Sequence, residues 1–104
     1  MQRGDVFELR PPRRTGHEQQ SRRFGVVVQA DAMLPRSVVL VAPTSRSARP
    51  ATFRPEMVIN GEATRVLVEQ VGAVDVSRFG DHVALASTEE MWSIDESLMT
   101  VLGL

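Results

Sequence analysis

No cysteine, lysine or tyrosine occurs in the 104 residues of this chain. Without cysteine there is no disulfide and no thiolate metal centre, which leaves His17 and His82 as the two imidazoles. His17-Glu18 opens like a zinc motif. The position four residues beyond His17, however, is Ser21, so the second imidazole is missing and no metal or other cofactor is expected. The seven glycines are scattered, which excludes a glycine-rich phosphate loop. No apolar stretch approaches the roughly 18 residues of a membrane span. Arg3, Asp5 and Glu8 interrupt the first hydrophobic stretch, so neither a signal nor a transit peptide fits, and a cytoplasmic protein is expected.

Since lysine is absent, all twelve basic residues are arginine, and they are unevenly placed. Residues 1–54 hold ten of them against four acids, whereas residues 55–104 hold two against nine. Guanidinium groups grip phosphate in bidentate fashion and stack on bases, which suits an RNA partner. GC-rich coding alone also replaces Lys by Arg. The asymmetry between the halves is therefore more informative than the arginine count. A chain this long supports one core, so residues 1–104 are read as one domain.

Gly4 to Leu9 alternates apolar and polar residues, the period of a half-buried strand. A polar loop follows from Arg10 to Arg22. Arg23 to Ala30 reads as a strand, Met33 to Arg36 as a turn, Val38 to Val41 as a central strand, and Pro43 to Arg54 as a second irregular loop. Glu56 to Ile59 and Ala63 to Val68 flank Asn60-Gly61, a pair suited to the positive φ of a tight hairpin turn. Further strands are expected at Ala73-Val74 and His82 to Ala86, with a turn at Gly80-Asp81. From Ser87 the period changes. Ser87 and Glu90 have capping-box spacing, and Met91, Ile94, Leu98, Val101 and Leu102 recur at helical intervals with Trp92 at the flank. The expected fold is mainly β with one C-terminal α-helix, a small and strongly curved barrel.

Two polar clusters stand out against this frame: Gly16 to Arg23, before an apolar strand, and Pro43-Thr44-Ser45-Arg46, after the next one. Strands would hold the two clusters rigidly side by side, bringing arginine, hydroxyl and carboxylate groups together. That set of groups suits a phosphodiester.

The chain resembles the MazF/PemK/Kid toxins, endoribonucleases of bacterial toxin–antitoxin modules, over nearly its whole length. The resemblance rests on Arg3-Gly4-Asp5-Val6, on Gly16-His17-Glu18-Gln19-Gln20 leading to Arg23 and Gln29, on Pro43-Thr44-Ser45, and on Glu69-Gln70 with Val74-Asp75, all in register. It implies an SH3-like, CcdB-like barrel that forms a homodimer, cuts single-stranded RNA without metal, and is silenced by a cognate antitoxin. By residue matching, Arg23 would neutralise the phosphorane and Thr44 would bond the scissile phosphate, with Ser45 alongside. Glu69 matches an acidic position that serves as base in some relatives. Relatives carry arginines at the positions of Leu67 and Gly72, so His17 is the expected proton donor. Glu18, Gln19, Arg13, Arg14, Arg22, Arg46, Arg49 and Gln70 would contact RNA. Two alternatives stay open: a CcdB-type toxin that binds DNA gyrase and cuts nothing, and a family member that has lost activity.

Overall fold

A computed structural model describes residues 1–11 and 23–104. Among the described residues, seven antiparallel strands run as β1 (Asp5–Leu9), β2 (Arg23–Val27), β3 (Val38–Ser45), β4 (Glu56–Ile59), β5 (Glu62–Val66), β6 (Gly72–Asp75) and β7 (Phe79–Leu85), followed by helix α1 (Thr88–Leu102). Their spatial order is β4-β5-β3-β2-β1-β7, with β6 also paired to β3. The sheet curves into a half-barrel closed by one C-terminal helix, the mainly-β class that the sequence pattern predicts.

Both faces of β2 are buried. Val26 joins the main core with Val6, Met57, Val66 and Ile94, while its neighbour Val27 joins a second cluster with Val39 and Val41. That explains the continuous apolar run, since a strand covered on both sides has no reason to alternate. Gly25 has its own constraint: a Cβ there would lie 2.4 Å from Val41 Cγ1 and 2.7 Å from Leu9 Cδ1.

Strand β3 departs from expectation. Pro43, Thr44 and Ser45 do not form a turn; they continue the strand, and the reason is a change of partner along one edge. Val38 to Val41 pair with β6, whereas Thr44 and Ser45 pair with β5. Pro43 sits at the junction, where its carbonyl accepts from the Leu67 N–H at 2.8 Å. Gly80-Asp81 is likewise strand, because irregularities in the β1–β7 register after Val6 and after Phe7 absorb what the sequence presents as a turn. The Asn60-Gly61 hairpin forms as expected, with φ of 53° and 81°.

Both halves of the α1 capping box are present: the Glu90 N–H donates to Ser87 Oγ at 3.0 Å, and the Ser87 N–H donates to Glu90 Oε1 at 2.9 Å. Gly103 ends the helix in the left-handed conformation. Ile94 is fully buried with Met91, Leu98 and Val101 around it, while Trp92 is exposed. Arg3 ties the helix to the sheet, donating Nε to the Val28 carbonyl at 2.8 Å and pairing with Asp95 at 2.6 Å. His82 Nε2 lies 2.9 Å from the buried Asp5 carboxylate, and the ring meets Phe7 edge-on. The opening Arg3-Gly4-Asp5 is therefore a structural fastening. No described helix is long and apolar enough to cross a membrane.

Candidate active site

The pairing of β2 with β3 sets Gly25 opposite Pro43, which places Arg23 and Phe24 beside Thr44 and Ser45. All four residues, with Arg46, line one cleft of about 500 Å³. Arg23 is exposed at its mouth and has no carboxylate partner among the described residues. Thr44 is 4% exposed at the floor, and its hydroxyl donates to the Phe24 carbonyl at 3.3 Å. That distance is long for an O–H donor, so the bond is weak and easily exchanged. The Ser45 and Ser47 hydroxyls lie 3.3 Å apart at the rim.

The other wall of the cleft comes from the β4–β5 hairpin. Ile59 supplies an apolar surface, and Glu62 pairs with Arg46, so the latter is already partly neutralised. The Thr64 hydroxyl is buried there with no hydrogen-bond partner. Neither Glu62 nor Thr64 is distinguishable in sequence from ordinary hairpin residues.

Glu69 lies apart from that cleft, held by Arg54. Its Oε2 accepts from Arg54 Nη2 at 2.6 Å and from Nε at 2.9 Å, while Oε1 is buried without a partner. The Arg54 hydrogen bonds hold the Glu69 carboxyl below its usual pKa. Arg54 is thus the guanidinium partner of Glu69 in this chain. Nothing in the sequence singled it out, since its partner is 15 residues away along the chain.

A second cleft of about 260 Å³ lies on the other side of Arg23, with Gln70 and Arg78 in its wall. Arg49 lines neither cleft; its carbonyl accepts from Arg54 Nη1. His17, Glu18, Gln19, Arg13, Arg14 and Arg22 lie outside the described residues. Among the described residues no group of three or more His, Asp or Glu gathers as a metal cage.

With this geometry established, comparison with known proteins identifies the family. Residues 2–102 match the PemK-like, MazF-like toxins of type II toxin–antitoxin systems, and the chain belongs to that family. It is 42% identical over 90 residues to a Mycobacterium tuberculosis protein provisionally designated a toxin, covering 86% of this chain and 84% of that one. The fold is shared with an endoribonuclease bound to its cognate antitoxin from a mycobacterial species (TM-score 0.82, 18% identity, 100% and 96% of the two chains). Deinococcus radiodurans MazF has it as well (TM-score 0.79, 22% identity, 100% and 97%).

Proposed function

We propose that this chain is a toxin-module endoribonuclease that cuts single-stranded RNA by transesterification. The observation that carries the reading is the convergence of Arg23, Thr44 and Ser45 on one cleft in a chain of this family. In the reaction, a ribose 2′-hydroxyl attacks the adjacent phosphorus, its proton passing to bulk water, and the bond from phosphorus to the 5′-oxygen breaks. The products are a 2′,3′-cyclic phosphate and a 5′-hydroxyl end, so the protein supplies no nucleophile of its own.

Each side chain then has a bounded task. The exposed Arg23 guanidinium neutralises charge developing on the phosphorane. The Thr44 hydroxyl exchanges its weak bond to Phe24 for one to a phosphate oxygen, and Ser45 donates beside it. His17, by residue matching to the family, is the group assigned to protonate the departing 5′-oxygen. Glu69 is less well suited to be the base, because one oxygen is held by Arg54 and the other is buried. We assign the Glu69–Arg54 pair to positioning the segment between β3 and β4 at the cleft edge.

The wider reading follows the family and the named neighbours, one of which is an endoribonuclease bound to its antitoxin. The active form is a homodimer in the cytoplasm, silenced by a cognate antitoxin that covers the arginine-lined groove. Incubating the purified protein with a long RNA in EDTA tests the activity. Fragments bearing 5′-hydroxyl ends are expected, and intact RNA would favour a toxin that acts by binding alone.

A further inference from the structure

Arg23 is a wall common to two clefts, and the smaller one has features of its own. We infer that this smaller cleft, built around Gln70 and Arg78, holds the base of a nucleotide next to the scissile phosphate, so that the RNA strand crosses Arg23 with one residue seated on each side. The inference rests on the ribonuclease reading and adds to it a base-selecting subsite.

Four observations carry it. First, position: Leu9 of β1 pairs with Arg23 on one side and with Phe79 on the other, and the Arg10 N–H donates to the Arg78 carbonyl at 2.8 Å. The two guanidinium-bearing residues therefore flank one strand end. Second, charge: Arg78 donates Nε to the Arg10 carbonyl at 2.7 Å and has no carboxylate partner among the described residues. Its remaining donors are available for a phosphate or a base carbonyl, in contrast to Arg46, which pairs with Glu62. Third, surface: Leu9, Val41, Pro43 and Val74 give the cleft an apolar lining against which a base can lie, and Gln70 adds an amide able both to donate and to accept. Fourth, size: about 260 Å³ falls just below the range of about 300 to 1,000 Å³ for pockets that enclose whole small molecules, so it suits a base with its sugar and phosphate outside.

Gly72 lines this cleft. A Cβ there would meet only the Gln70 carbonyl, at 3.9 Å, and its φ is not in the left-handed region, so the backbone tolerates a larger side chain at this position of the cleft wall.

The test is a random single-stranded RNA pool cut by the wild type, by Gly72→Val and by Arg78→Gln, with both sides of every cut sequenced. Base preference at one position flanking the cut should change by about tenfold in both variants, with preference on the other side retained. Variants too slow to profile are compared by binding short oligonucleotides that carry a 2′-deoxy sugar at the cut. Wild-type base order on both sides, by either readout, would overturn the subsite. A wild type that cuts no RNA would overturn the ribonuclease reading together with it.

Discussion

The Thr44 hydroxyl donates to the Phe24 carbonyl, so a residue of β3 is tied to the one that follows Arg23 in β2. The link spans 3.3 Å and sits at the floor of the larger cleft. Thr44→Val keeps the shape and removes the donor. Folding stability should fall by only about 0.5 kcal/mol, the low end for a single hydrogen bond, because the bond to the Phe24 carbonyl is long. Cutting should fall by about 10² to 10³, the usual effect of deleting one transition-state donor. Thermal melts beside single-turnover rates separate the two effects, and Thr44→Ser should restore most of the rate.

The Glu69–Arg54 pair predicts a pH effect whose sign follows from its cause. Arg54 lowers the Glu69 pKa in the folded state below the ordinary 4.5. A depressed carboxylate contributes stability that is present above the unfolded pKa and is lost as pH falls through the folded value. Glu69→Gln should therefore cost about 1 kcal/mol at neutral pH, with the deficit shrinking below pH 4.5. Denaturant melts at pH 7 and pH 3 measure it; an equal deficit at both would show that charge is not what holds the pair.

Gly25 lies two residues from Arg23 and is closed in by Val41 and Leu9. Gly25→Ala should destabilise the fold by about 1 to 3 kcal/mol through overpacking. Since the displaced residues border Arg23, cutting should fall even under conditions where the variant is fully folded. Circular dichroism with rates measured at low temperature checks both.

Protonation of the leaving oxygen by His17 predicts a rate that declines as pH rises across the range in which imidazoles in general lose their proton, about pH 6 to 7. His17→Ala should abolish that limb and lower the plateau. A wild-type profile that is flat from pH 5 to 8 would assign the proton to another group.

Much of this molecule could be read from local pattern. The capping box at Ser87 and Glu90, the Asn60-Gly61 hairpin and the Ile94 stripe each depend on residues within one or two turns of each other, and all appear where expected. Reading failed where a distant partner decides. Pro43-Thr44-Ser45 looks like a turn in isolation and becomes strand because Leu67 and Val66 arrive from elsewhere to pair with it. Gly80-Asp81 stays in β7 because β1 takes up the irregularity. In the candidate site, Arg23, Thr44 and Ser45 belong to motifs shared with the family, and the sheet register explains why they meet. Arg54 and Arg78 belong to no such motif. Their roles emerge only when Glu69 and Leu9 are placed beside them.

The proposed reaction depends on the Arg23 guanidinium, over a cleft floored by Thr44, acting on a phosphodiester. Its most direct test compares wild type with Arg23→Ala on the same long RNA in EDTA, the variant first being shown to melt like the wild type. The wild type should give 5′-hydroxyl fragments and the variant a rate lower by about 10² or more. Equal cutting by both proteins would remove Arg23 from the reaction.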